Sequence, residues 1–181
     1  MNKALFLDLD NTIIQTKSGE TFPVDAKDWK FRRGILQKIE DYYCDGYKIC
    51  IITNQAGINE GYVKPSDFKN KILEIRQNIC DYINEAFNIP PIKILLKIEP
   101  EQIVVMAAKS KEGGYYKPSP KSAKDISICF KIDLLSSIMV GDASGIDKPG
   151  RKDFSDSDRK FAENAGIGRY IDVEEFLETS F

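Results

Sequence analysis

The stretch ALFLDLDNT, Ala4 to Thr12, decides the fold. Ala4 to Leu9 is a short apolar run ending in acids, the pattern of a buried strand that gives way to a loop. In a regular strand Asp8 and Asp10 point to the same face, because side chains repeat every second residue. Two carboxylates side by side repel, and both stay ionised at neutral pH only if a cation joins them. The alternative is that they are turn and capping residues, so the choice rests on what else reaches the same edge.

Outward from that stretch, strand and helix patterns alternate. Ile35, Leu36, Ile39 and Tyr42 or Tyr43 follow helical spacing, with Gly46 as the stop. Tyr47 to Thr53 is β-branched and runs into Asn54 and Gln55. Pro65 and Ser66 open a long amphipathic helix with Phe68, Ile72, Ile75, Ile79, Ile83 and Phe87 on its apolar face, ended by the run Asn88 to Pro91. The apolar stretch Ile92 to Ala108 breaks at Glu99 and Pro100, and its better strand is Ile103 to Ala107. Ser119 to Phe130 reads as a helix, Ile138 to Gly141 as a strand, Ser155 to Ala165 as a helix stopped by Gly166, and Arg169 to Asp172 as a last short strand. This predicts an α/β fold: a doubly wound, Rossmann-like, mostly parallel sheet with helices on both faces and a minimal cap. A single domain over 1–181 is expected.

In such sheets ligands sit at the carboxyl ends of the strands. Asp8, Asp10 and Thr12 stand there after the first strand, and Thr53, Asn54 and Gln55 after the second. Lys109, Lys111 and Lys117 follow the third, and Asp142 the fourth. With Asp142, the first two acids make a hard oxygen site suited to Mg²⁺.

Composition narrows the chemistry. Histidine is absent, which excludes Ser-His-Asp catalysis, His-based phosphotransfer and His-ligated zinc or haem. Cys44, Cys50, Cys80 and Cys129 form no CxxC and are expected as buried free thiols, which suits a reducing compartment. The formal net charge is −2, so an anionic partner needs a local basic patch. No signal-peptide pattern opens the sequence and no apolar run has the length of a membrane span. A cytoplasmic monomer with no membrane partner is expected, or a nuclear one if the source is a eukaryote.

Asp8, Asp10, Asn11 and Thr12, followed by Thr53, Lys117, Gly141 and Asp142, resemble the four motifs of the haloacid dehalogenase-like phosphatase superfamily. The resemblance narrows with Ser18 to Pro23, Asp28 and Trp29, the loop Thr53 to Ile58, and the run Gly141 to Arg159. These look like the 3′-phosphatase domain of polynucleotide kinase 3′-phosphatases, over about Leu5 to Leu177.

The resemblance implies that Asp8 is the nucleophile and Asp10 the general acid and base. Asp8, Asp142 and a backbone oxygen of Asp10 would hold Mg²⁺. Lys117, Thr53 and Asn54 would meet the phosphoryl oxygens. Gln55, Trp29, Arg151 and Lys152 are candidate substrate contacts. Thr12 either braces the loop or is an ordinary turn hydroxyl. Asp158 is either the second acid of the last motif, orienting water or Lys117, or a first-turn helix acid. Asp153 and Ser155 are expected as helix caps. Asn11 stands where the family often has Gly, and Asn tolerates positive φ.

The implied partner is a nucleic-acid 3′ end, touched over a few nucleotides. Three basic clusters serve that contact or are plain solvated surface: Lys27 to Lys38, Lys109 to Lys124, and Lys148 to Lys152. No GxxxxGK[ST] occurs, so no kinase domain is expected. The rival from the same superfamily is a small-molecule phosphatase of the histidinol-phosphate or heptose-bisphosphate type. Those usually carry a Cys/His zinc loop before the third-motif lysine, and this chain has neither residue type there. A 5′-nucleotidase is a further rival, and a non-catalytic nucleic-acid end-binding module is the rival from another class.

Overall fold

The computed structural model describes residues 2–86, 97–147 and 152–179. Five parallel strands form its main sheet: β1 (Lys3–Leu7), β4 (Tyr47–Asn54), β5 (Val104–Ala108), β6 (Ile138–Gly141) and β7 (Arg169–Asp172). Their order is β5-β4-β1-β6-β7. The chain builds outward from β1 to β4 and β5, then returns to the other side of β1 for β6 and β7. The switch in order therefore lies beside β1, the position at which such sheets open a crevice at their carboxyl edge.

Helices cover both faces. Leu5 and Leu7 of β1 pack on one face with α1 (Ile35–Cys44), α2 (Pro65–Ala86) and α5 (Val173–Glu178). Ala4 and Phe6 pack on the other with α3 (Lys121–Phe130) and α4 (Ser157–Ala165). Burial on both faces explains why β1 and β4 read as continuous apolar runs rather than alternating ones. Phe161 and Phe176 are fully buried on opposite faces, each stabilising its layer by about 1.5–3 kcal/mol relative to an exposed ring.

The elements match the expected α/β pattern, with local differences. α3 begins at Lys121 rather than Ser119, because Pro118 and Pro120 keep the preceding backbone out of the helix. α4 begins at Ser157, with Ser155 Oγ accepting from its N–H. Two features were not anticipated. A small antiparallel pair, β2 (Ile14–Gln15) with β3 (Lys30–Phe31), follows β1. The six-residue α5 is capped by Asp172, which accepts from the Glu174 N–H at 3.0 Å. Both are too short to leave a periodic signature. Phe87, the run 88–91 and the first part of the 92–108 stretch lie outside the described residues.

All four cysteines are free thiols, but only Cys50 and Cys80 are buried. Cys44 and Cys129 are exposed, because each sits at the last turn of its helix, off the apolar stripe. Among the described residues no helix is long and apolar enough to cross a membrane.

Candidate active site

The site grows from the end of β1. The Asp8 N–H donates to the Val140 carbonyl at 2.9 Å, so the β1–β6 ladder continues to the first acid. The chain then turns sharply: the Ile13 and Ile14 N–H groups both donate to the Leu9 carbonyl, at 2.9 and 3.0 Å. The turn requires positive φ at Asn11 (59°), which Asn accepts at small cost. Arg32 clamps it from outside, with Nη1 donating to the Asn11 carbonyl at 2.6 Å and Nη2 paired to Glu174 at 2.6 Å.

Lys117 is the centre of the arrangement. Its side chain is 2 % exposed, and Nζ lies 2.5 Å from Asp8 Oδ1 and 2.6 Å from Asp158 Oδ1. Asp158 is equally buried, and its second oxygen accepts from the Ala143 N–H at 3.1 Å. Oxygens of Asp8, Asp142 and Asp158 all lie within 4.8 Å of one another. Three acids thus cluster around one buried lysine. Burial pushes the Asp8 carboxyl well above its ordinary range, and Asp158 and Asp142 add to it against the pull of Lys117. Burial and then Asp158 push Asp142 up to about 6, while Lys117 and the Asn11 side chain offset part of this. Burial lowers the Lys117 ammonium, yet the two acids outweigh it and hold its pKa above the usual value.

That surplus of buried negative charge fits a divalent cation. Asp8 and Asp142 offer hard oxygens, and Asp8 Oδ2 receives no hydrogen bond among the described residues. The Asp10 carboxylate is not in this group. Gln55 Nε2 donates to its Oδ2 at 2.6 Å, and also to Thr53 Oγ1 at 2.9 Å. One buried amide thus spans the general-acid candidate and the threonine.

Asn54 uses its side chain elsewhere. Its Nδ2 donates to the Lys117 carbonyl at 3.1 Å, and its Oδ1 accepts from the Lys117 N–H at 2.8 Å. This pair fixes the lysine's backbone to the end of β4. Thr12 is fully buried, and among the described residues its hydroxyl has no hydrogen-bond partner. Trp29 packs edge-on to Phe31, with centroids 5.6 Å apart, against the larger core cluster. Lys152 is exposed, and Arg151 lies outside the described residues. Asp153 does not cap a helix: it accepts from the Ser144 N–H at 2.9 Å and from its hydroxyl, tying the loop after Asp142.

Parts of the basic clusters are already engaged. Besides Arg32, Lys38 donates to the Thr179 carbonyl, and Lys121 pairs with Asp125 at 2.9 Å. Two residues near the site escaped the sequence reading. Arg32 was read only as one charge in a cluster. Lys71 of α2 lies 3.7 Å from Asp10, and no motif marks it, because it sits beside the helix's apolar stripe.

A family model described as polynucleotide kinase 3 phosphatase matches residues 3–176. The chain is 35 % identical over 184 residues to the bifunctional polynucleotide phosphatase/kinase of Schizosaccharomyces pombe, covering 99 % of this chain and 38 % of that one. It is also 32 % identical over 145 residues to a D-glycero-beta-D-manno-heptose-1,7-bisphosphate 7-phosphatase of Helicobacter pylori, covering 78 % and 73 %. The fold is shared with the D,D-heptose 1,7-bisphosphate phosphatase of B. bronchiseptica, whose crystal structure holds magnesium and phosphate. The TM-score there is 0.60 at 19 % identity, over 93 % of this chain and 79 % of that one. With the match spanning nearly the whole chain, the protein belongs to the polynucleotide kinase 3 phosphatase family of haloacid dehalogenase-like phosphatases.

Proposed function

We propose that this phosphatase removes the 3′-terminal phosphate from a nucleic-acid strand and leaves a 3′-hydroxyl for a polymerase or ligase. The observation that carries the reading is the family match over residues 3–176, which takes in the acids, Lys117 and the loop after Asp142 together. The absence of histidine from the whole sequence favours it over the heptose-bisphosphate type.

The chain's own groups supply the steps. A carboxylate oxygen of Asp8 attacks phosphorus, the bond from phosphorus to the sugar oxygen breaks, and Asp10 gives that oxygen its proton. Water then attacks the aspartyl-phosphate, passes a proton to Asp10, and releases inorganic phosphate and Asp8. Lys117 offsets charge on the phosphoryl oxygens, and Asp158 and Asn54 hold Lys117 in place. Gln55 aims Asp10. Mg²⁺ bound by Asp8 and Asp142, with a backbone oxygen of Asp10, would lower the repulsion between an anionic phosphate and a carboxylate.

The relatives named for heptose bisphosphates keep one rival reading in play: hydrolysis of a sugar bisphosphate. The test is phosphate release with Mg²⁺ from matched oligonucleotides carrying a 3′- or a 5′-phosphate. Heptose 1,7-bisphosphate, an EDTA control and the Asp8→Asn variant run alongside. Fast 3′-selective release, abolished in Asp8→Asn, is the expected outcome. Release from the sugar bisphosphate alone would keep the chemistry and reject the substrate.

A further inference from the structure

We propose that Lys71 is a specificity-determining residue that recognises the internucleotide phosphodiester next to the terminal phosphate. This rests on the substrate reading above and deepens it.

Lys71 lies on α2, away from every sequence motif of the site, yet its side chain is only 13 % exposed and Nζ is 3.7 Å from Asp10 Oδ1. That separation is longer than the 2.7–2.9 Å usual for a charge-assisted hydrogen bond. Among the described residues the ammonium donates no hydrogen bond at all; its other neighbour is the Phe68 ring, 5.7 Å away. Asp10 offsets its charge at ion-pair distance but leaves the donors of a mostly buried ammonium without a hydrogen bond, which is costly unless a further acceptor joins it. Lysine's three rotatable donors suit a phosphate oxygen.

Its location identifies which anion. Asp10 is the group that protonates the leaving oxygen, so that oxygen sits against its carboxylate. Asp10 is 46 % exposed and thus opens toward solvent. On the substrate reading above, the body of the substrate leaves from that exposed side, and Lys71 Nζ, 3.7 Å from the same carboxylate, is within reach of it. In a strand, the next anionic group along that path is the phosphodiester that links the terminal nucleotide to its neighbour. A mononucleoside 3′-phosphate has no such group. The proposal is therefore a device that prefers a strand end over a free nucleotide, built from one charge.

The test is a chemical double-mutant cycle. A 3′-phosphorylated oligothymidylate is prepared with either an ordinary first linkage or an uncharged methylphosphonate there. Both are assayed with wild type, Lys71→Met and Lys71→Arg, and each variant's thermal unfolding is recorded. Wild type should lose about 10-fold in kcat/KM on the neutral linkage, the size of one charge-assisted contact. Lys71→Met should turn over both linkages at equal rates, and Lys71→Arg should keep the discrimination. The readout is a ratio, so a general loss of activity or stability cancels. In Lys71→Met the slope of log kcat/KM against log salt should flatten by about 0.7, one phosphate contact on a single strand.

If Lys71→Met discriminates between the linkages as strongly as wild type, or wild type does not discriminate, Lys71 does not read the diester and the inference falls alone. If wild type releases phosphate from no oligonucleotide but does so from a sugar bisphosphate, the substrate reading falls and takes the inference with it.

Discussion

A single methyl group at Gly141 should disable the site. A Cβ built on Gly141 lies 2.2 Å from Asp158 Oδ2, 2.5 Å from its Cγ and 2.7 Å from its Cβ. To reach even 3.0 Å, the shortest separation real Cβ atoms show, the Asp158 oxygen must retreat by about 0.8 Å. Asp158 has no slack: one oxygen is on the Ala143 N–H at 3.1 Å and the other on Lys117 at 2.6 Å. Its displacement therefore drags Lys117 from Asp8. A misplacement near 1 Å costs about 100-fold in rate, or about 2.7 kcal/mol of barrier.

The overpacking itself should cost about 1–3 kcal/mol of stability. The assay is kcat for phosphate release by Gly141→Ala, run well below the variant's Tm so that unfolding contributes nothing. Gly168→Ala is the control. There a Cβ meets the Leu135 carbonyl oxygen at 1.8 Å, away from the acids, so stability should fall without a specific loss of kcat in the folded fraction. In an Asp158→Gly background, which removes the three nearest atoms, Gly141→Ala should add little further loss. Folded Gly141→Ala turning over within threefold of wild type would refute the argument that Asp158 and Lys117 move as one unit.

Two further outcomes follow from the same geometry. Gln55→Leu frees both Asp10 and Thr53, so kcat should fall about 10-fold or more with KM little changed; an unchanged kcat in steady-state assays would remove Gln55 from the positioning of Asp10. Without divalent cation, folded Asp142 holds its proton up to about 6, above its ordinary 3.8, so the folded state binds more protons than the unfolded between those values. Stability should then fall as pH rises through that window. Mg²⁺ must displace this proton, so its gain in Tm should be larger at pH 7.5 than at pH 5. Calorimetry giving equal gains, or the same profile in Asp142→Asn, would contradict the assignment.

The sequence carried the frame because its signals are local. Apolar runs buried on both faces mark β1, β4 and β6, and the stripe Phe68, Ile72, Ile75, Ile79 and Ile83 marks α2. Strands that enter a parallel sheet all end at one edge, so the sequence alone assigns Asp8, Thr53 and Asp142 to that edge. Asn11 was legible for a similar reason, since few other residues accept its backbone conformation. The pair β2 and β3 was not, because two residues per strand make no pattern.

Sequence alone therefore determined the α/β order, the edge on which the polar groups gather, and the residue types offered there. Only the tertiary structure decided how those groups pair. It placed Lys117 between Asp8 and Asp158, turned the Asn54 side chain to the Lys117 backbone, set Gln55 across Asp10 and Thr53, and brought Lys71 to within 3.7 Å of Asp10. Lys117 and Asp8 are 109 positions apart and Lys117 and Asp158 are 41 apart. Charges so far apart in the chain share no local pattern. They meet because the sheet's hydrogen-bond ladder and the two apolar layers fix where each loop begins, and the strength of an ion pair depends on ångströms that periodicity does not encode.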